Sequence, residues 1–421
     1  MGPLAPSSAD TSGRLGTASQ SRSVSPTAAN QLRLPGVPIR LFEYSAQTIT
    51  NRQFQRFDLE RWDRFYLPAS IASLVDATPG DSVEFIEDDN RSAIVPEPVV
   101  TLDHQEFYLS VKGVGSTVDP FSFRRLDRGY AAELAGDPEV RSRLSVPLAE
   151  STGGVITGEL WLRGSPYGGQ GLAHAMTALK VSEQANVTSI GGFRIAPVVK
   201  IALLPADLEE RLRSIHWYRR FPGRMVQEIR LVPSNVRIYF HAHHTVGNDI
   251  ARVFDLFGID TPANGHRFEI NFVRSGVAFL TLFARTLTPD ARPGRYSGLD
   301  FQDVWLDKDA VIARDGTAFF VDLEGIDSVS VEASEVREKV EDQIYRSLYE
   351  FMFAYEQIRS EIGRRFGADG SRKRHFESIL ESALHDDPFV RLRAEDRRVT
   401  IEIRNRCNDA SLNSTFPLVD H

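Results

Sequence analysis

The stretch from Phe268 to Leu287 is apolar on several faces and is interrupted mainly by Glu269, Asn271 and Arg274. A helix with so little polar surface has to be enclosed by the rest of a domain. Two short apolar runs follow it. The first is Val304–Leu306 or Val311–Ala313, the second is Ala318–Leu323, and Arg314-Asp-Gly316 reads as a turn between them. Next comes a stripe of Val336, Val340, Ile344, Leu348, Phe351, Tyr355, Ile358 and Ile362 at steps of three and four, which predicts a long amphipathic helix. Ser334 is the expected N-cap; Arg337 stands where a capping box needs Glu or Gln, so the box is incomplete.

The chain before this is different in character. Residues 1–38 are rich in Ser, Ala, Thr, Gly and Pro and read as a disordered tail. From about 41 to 240 the pattern is mostly short strands: Ser82–Ile86, Phe107–Lys112, Glu159–Leu162, Phe193–Leu203 as one strand or a pair, and Met225–Phe240 around the Pro233-Ser-Asn turn. Helical patterns cover Leu172 to about Ala185 and 206–218, while 118–150 has no period and reads as an insertion. After 245 the pattern turns helical, and the chain closes with a short helix, a polar turn and a strand, Val399–Ile403. The expected division is a tail (1–38), a β-rich N-lobe (39–240) and a mainly helical C-lobe (241–421). The fold class expected is α+β, in the order of a protein-kinase-like bilobal fold, an order other α+β folds share.

With 421 residues the chain has room for one bilobal domain or two ordinary ones. Its net charge of -8 argues against a binder of nucleic acid or of anionic membranes. A single cysteine, Cys407, excludes an intramolecular disulfide framework and a Cys-rich zinc site. The longest strongly apolar stretch, Gly276–Ala284, is about half of what a membrane span needs, and no apolar core of a signal peptide is present. The expected location is therefore the cytoplasm. Of the 49 basic residues only 6 are Lys, so each Lys draws interest. Charge is also uneven: 211–237 holds seven Arg against Glu228 alone, which allows a local phosphate site in an acidic chain.

Several residues carry chemistry in this reading. Asp322, in Phe319-Phe-Val-Asp-Leu-Glu-Gly325, ends an apolar strand just before a glycine, a position suited to a Mg²⁺-binding carboxylate; it equally suits a turn. Tyr296–Leu306 is expected to be a loop, in which Asp303 or Asp300 could act on a hydroxyl or hold a second metal, or simply be solvated. Lys112 closes a strand ahead of Gly113-Val-Gly115, where a compact ammonium suits phosphate oxygens. Arg230 and Arg237 flank a Pro turn and can converge on one phosphate. The glycines from 164 to 171 fit no phosphate-loop pattern and read as a connector. His241, His243 and His244 lack a matching third ligand apart from Asp249 and read as a strand end.

Four segments together resemble the selenoprotein O family of kinase-like protein adenylyltransferases. They are Val111-Lys-Gly-Val-Gly-Ser-Thr117, Leu162-Arg163 with Leu172–Leu179, Arg230-Leu-Val-Pro-Ser-Asn-Val-Arg237, and Gly298–Asp303 followed by Asp322. The resemblance implies that Lys112, Arg230 and Arg237 contact the phosphates of ATP, that Asp303 is the catalytic Asp, and that Asp322 holds Mg²⁺ or Mn²⁺. The implied reaction moves AMP from ATP to a protein hydroxyl. The family's helix Glu falls at Gly169 or Gln170, its metal-binding Asn at Val304, and its loop His at Ser297 or Tyr296; its C-terminal Cys pair is missing. These departures leave one other reading open, and the acidic residues of the 296–306 loop and of 81–106, suited to a cationic substrate, leave a second. One is a nucleotide-binding or non-catalytic pseudokinase acting as a scaffold or sensor, the other a kinase that phosphorylates a small molecule.

Overall fold

The computed structural model describes residues 34, 36, 38–68, 72, 80–88, 92–114, 170–214, 223–237, 250–301, 309–367, 372–395 and 398–418. Most of the N-terminal tail, the 118–150 insertion, the 159–162 strand, glycines 164–169, His241 to His244, the Val304–Leu306 run and Asp303 lie outside the described residues.

The first half of the chain builds a nine-stranded antiparallel sheet. Its strands are β1 (Pro38–Ser45), β2 (Thr48–Thr50), β3 (Arg64–Pro68), β4 (Ser82–Glu87), β5 (Ser92–Leu102), β6 (Gln105–Lys112) and β7 (Gln170–Gly171). After a small hairpin of β8 (Ser189–Ile190) and β9 (Phe193–Arg194), β10 (Val198–Leu203) and β11 (Met225–Val232) complete it. The order is β2-β10-β11-β6-β5-β4-β1-β3, with β7 paired to β11. β6 and β11 lie in the middle: every residue of β11, its Gln227, Glu228 and Arg230 included, and Phe107 through Lys112 of β6 are buried. The sheet coils on itself. Gln227 of β11 accepts from Tyr66 N (2.8 Å) and donates to Tyr66 O (2.6 Å), satisfying the main chain of the edge strand β3. Helix α1 (Leu172–Gln184) lies in sequence between β6 and β10 and buries Ala175, Ala178, Leu179 and Val181. A second helix, α2 (Ala206–Ser214), precedes β11.

The second half carries α3 (Ile250–Phe257), α4 (Pro262–Leu280) and α5 (Leu282–Thr286), then β12 (Thr288–Pro289), β13 (Arg295–Phe301), β14 (Ala310–Ile312), β15 (Ala318–Phe320) and β16 (Ile326–Glu332). The long helix α6 (Val336–Phe366), α7 (Arg372–Leu384) and a three-stranded sheet of β17 (Val390–Glu395), β18 (Arg398–Ile403) and β19 (Ser414–Leu418) follow. The apolar run expected as one buried helix is two. Thr261 caps α4 by accepting from Asn264 N, and Pro262 fits the first turn. Thr281 then leaves the helical conformation and donates from Oγ1 to Val277 O at 2.7 Å. Gly276 of α4 lets Phe351 of α6 approach, since a Cβ there would stand 2.1 Å from the Phe351 ring.

Two expectations are corrected here. The cap of α6 is not Ser334: a short turn, Ala333–Glu335, precedes the helix, and Glu332 and Glu335 form the reciprocal capping box. Residues Tyr296–Phe301 are not a loop but part of β13, paired with β12 and, over its whole length, with β16. Gly298 permits this, because a Cβ at that position would lie 2.7 Å from the Phe283 ring. A glycine at the buried position 298, with half-buried Ser297 before it, also erases the apolar alternation that marks a strand.

The interior joins these pieces through aromatic rings. Phe193, Phe279, Phe301 and Phe320 contact one another, with Phe279 and Phe301 stacked at 4.3 Å. Residues from Leu34 onward form one compact unit of mixed α and β structure. Among the described residues no helix is long and apolar enough to cross a membrane.

Candidate active site

Three segments meet at the end of β6. The first supplies Lys112, the last residue of that strand. The second is β11, hydrogen-bonded beside it with Glu228 opposite Lys112 and Arg230 opposite Ser110. The third is the turn after β15, where Asp322 precedes a short helical turn, Leu323–Gly325, that carries Glu324. Helix α1 packs against this turn and against β10 and β11. Ile195 and Phe320 form an isolated bridge, and Ala196 N donates to Phe320 O at 2.8 Å, so β15 is fixed to the segment just before β10.

The side chains form one buried ionic cluster. Lys112 Nζ donates to Asp322 Oδ1 at 2.8 Å and also to Glu324 Oε1. Arg230 donates from Nε to Glu228 Oε2 (2.8 Å), with a second bond from Nη2 to the same oxygen. Arg230 Nη1 donates to Val321 O at 2.6 Å, and its Nη2 lies 3.8 Å from Glu324 Oε2. The Lys112 side chain is 4% exposed, the Glu228 side chain is fully buried, and Asp322 is the most open member at 33%. Removing ions from water costs several kcal/mol each unless partners replace it; here each cation has two carboxylates within reach.

Burial alone would push the Glu228 carboxyl up, but the charges of Arg230 and Lys112 outweigh it and hold Glu228 below the usual carboxylate range. Burial would lower the Arg230 guanidinium, yet Glu228, Glu324 and Asp322 hold it above its ordinary value. Glu324 goes the other way: burial, together with the Asp322 and Glu228 charges, raises its carboxyl despite Lys112. Three carboxylates against two cations leave a negative surplus at the mouth of the cluster, next to Asp322.

Gln170 is 1% exposed and its amide lies against Glu228. Neither Gln170 Nε2 nor Glu228 Oε1 completes a hydrogen bond among the described residues. The structure thus brings together four of the residues singled out in the sequence: Lys112, Gln170, Arg230 and Asp322. It adds two that sequence reasoning missed, Glu228 and Glu324. Each lies two residues from a candidate, Arg230 or Asp322. For Glu228 and Arg230 that spacing means one face of a strand, a usable signal. Arg230 spends its donors on Glu228 and Val321, so its position is that of an internal anchor. Arg237 lies five residues beyond β11 and is half-buried.

Asp300 is placed elsewhere, inside β13. Its oxygens accept from Gln343 Nε2 (3.0 Å) and Arg346 Nη2 (2.9 Å), and Lys339 Nζ lies 2.5 Å from Oδ2. All three groups belong to α6, so Asp300 pins that helix to β13.

Asp322 Oδ1 and Glu324 Oε1 both converge on Lys112 Nζ, so the ammonium occupies the point the two carboxylates share; Asp322, the more open of them, is the kind of hard oxygen donor that Mg²⁺ or Mn²⁺ takes. Among the described residues no three His, Cys, Asp or Glu side chains group to hold a metal. No family model, no curated protein and no solved structure matches the chain.

Proposed function

We propose that the chain is an ATP-dependent transferase on a kinase-like bilobal fold that moves AMP or phosphate from ATP to a hydroxyl acceptor. The observation that carries this reading is the pairing of Lys112 with Asp322. A lysine on the third strand of an antiparallel meander (β4-β5-β6), followed by a helix and joined to an Asp just after a later strand pair, is the constellation kinase-type phosphotransferases use. In those enzymes the lysine's second partner is a helix Glu. Here α1 has no acid in its first turn, and Glu324 takes that place from the Asp322 turn.

In this reading Asp322, the most open carboxylate of the cluster, would hold Mg²⁺, which would neutralise phosphate charge when ATP is bound. Lys112 contacts phosphate oxygens as a compact point charge. Arg230 is a positioning residue: it fixes Val321, and through it Asp322, against β11. Asp303 is the group left for the acceptor hydroxyl. Catalysis would rest on positioning and electrostatics, because phosphoryl transfer leaves the protein little covalent chemistry to do.

The test is incubation of the intact chain with labelled ATP and Mg²⁺ or Mn²⁺, with and without acceptor proteins and small hydroxyl compounds, read by mass spectrometry. Label on the chain or an acceptor, as AMP or phosphate, is expected; Asp322→Ala abolishes it. Label unchanged in Asp322→Ala sinks the reading. A thermal shift with ATP that needs no metal, with no label, would assign a nucleotide-binding pseudokinase instead.

A further inference from the structure

Helix α6 buries one stripe and leaves another open. Val336, Val340, Phe351, Ala354, Tyr355 and Ile358 face the core, whereas Tyr345 (71% exposed), Leu348 (36%), Tyr349 (75%) and Phe353 (41%) form an aromatic patch on the outer side. Tyr349 and Phe353 stack on each other at 6.3 Å, which makes the patch continuous. Contiguous exposed apolar surface of this kind marks an interaction site.

The sequence along that outer face is symmetric in a way that names the partner. Positions 338, 342, 345, 349, 352, 356, 359 and 363 follow at alternating steps of four and three, the spacing of a helix–helix seam. A two-fold axis between positions 350 and 351 maps this seam onto itself. It sets Tyr349 opposite Met352, Leu348 opposite Phe353, and the Tyr345 hydroxyl opposite the Glu356 carboxylate. Towards the ends it sets Asp342, whose side chain is 51% exposed, opposite Arg359, and brings exposed Glu338 to Gly363 and Arg364, the latter 63% exposed. Asp342 keeps its local contact with Arg346 (3.1 Å) and Arg364 its bond to Glu361, so these are patches of charge meeting rather than isolated ions. Antiparallel pairing also places each helix N-terminus beside the partner's C-terminus, which the helix dipoles favour.

We infer that the outer face of α6 is a self-association surface on which two copies of this chain pair antiparallel, about a two-fold axis that crosses the seam between Tyr349 and Met352. A closed two-fold contact of this type uses the same patch on both copies and ends there, without growing into a filament. The inference is independent of the transferase reading.

The experiment uses the full chain. Light scattering after gel filtration is expected to give twice the chain mass. Tyr349→Glu places two like charges close to the axis and weakens the association by at least about tenfold, with the circular dichroism melt unchanged. Register is read by single cysteines under mild oxidation, with the parent chain and its half-buried Cys407 as the control that gives no crosslink. The two copies of position 349 are offset by about 4.5 Å along the axis, those of position 345 by about 16 Å. Tyr349→Cys therefore crosslinks and Tyr345→Cys does not. A monomeric parent, a Tyr349→Glu chain that still dimerises, or crosslinking at 345 would each overturn the inference; the last would indicate parallel pairing.

Discussion

Lys112 Nζ reaches Asp322 Oδ1 at 2.8 Å across 210 residues of sequence. The ammonium is buried while the carboxylate is partly open, so the pair has one side towards the protein and one towards solvent. Replacing Lys112 by Arg keeps the charge but substitutes a planar fork for a point charge. The expected outcome is a loss of ATP-dependent labelling of more than about tenfold, with a melting temperature shifted by only a few degrees. Lys112→Met should lose both, because it leaves Asp322 and Glu324 facing each other without a cation.

The Glu228–Arg230 pair supports the strand interior. Glu228→Gln leaves the buried guanidinium without its main counter-charge and should cost about 3–5 kcal/mol in urea unfolding. The joint change Glu228→Leu with Arg230→Met should recover most of that loss, since an apolar pair of similar size removes the charge problem altogether.

The same glutamate predicts an acid limb. Its folded-state carboxyl titrates below the ordinary range. Its stabilisation is thus complete above the unfolded value of about 4.3 and is lost as pH falls through the lower folded value, because the unfolded chain takes up a proton that the native chain refuses. Glu324 has the opposite sign, its carboxyl being raised. The difference between parent and Glu228→Gln stability therefore isolates the effect: the cost of the substitution shrinks on acidification below about pH 4.

Asp300 and Asp303 separate by what each loses. Asp300→Asn weakens the contacts to Lys339, Arg346 and Gln343. Lys339 and Arg346 can regain water, so the expected cost is about 1–3 kcal/mol of stability with labelling intact in the folded protein. Asp303→Asn is expected to abolish labelling with the melt unchanged. Labelling lost in Asp300→Asn at full stability would move the acceptor-binding role to β13.

Two glycines give a comparison within one backbone conformation. Gly316 has φ of +92° and a Cβ there would lie 2.2 Å from Phe268 O; Gly294 has φ of +81° and open space around it. Gly294→Ala should cost about 1 kcal/mol, Gly316→Ala about 3 kcal/mol or more, by denaturant unfolding.

What the sequence made legible followed its periodicity. The span of α6, the span of α1, the apolar run of β6 and the turn at Arg314–Gly316 stand where spacing predicts them, but Leu348, expected in the buried stripe of α6, lies on its outer face. Lys112 and Asp322 stood out by residue type and position on a strand end. Three kinds of feature did not show. β13 was hidden because Gly298 and Ser297 break its alternation, although a glycine pressed on Phe283 is what the packing requires. The C-terminal sheet reads as one strand, since β17 and β19 carry charges and a proline that mask their apolar positions. Glu228 and Glu324 draw their meaning from partners on other segments, and no local pattern reports a contact that spans so much of the chain.

The bond from Arg230 Nη1 to the carbonyl of Val321 has a consequence for how the protein comes into being. A nascent chain that has emerged as far as β11 already contains Lys112, Glu228 and Arg230, but not the carbonyl or the carboxylates that complete their coordination. Until residues 321–324 arrive, a charged lysine and a half-satisfied arginine sit in the centre of a sheet whose strands are otherwise ready to pair. Residues 321–324 therefore supply what lets the sheet's buried charges settle, and the candidate site cannot be complete before they have been made.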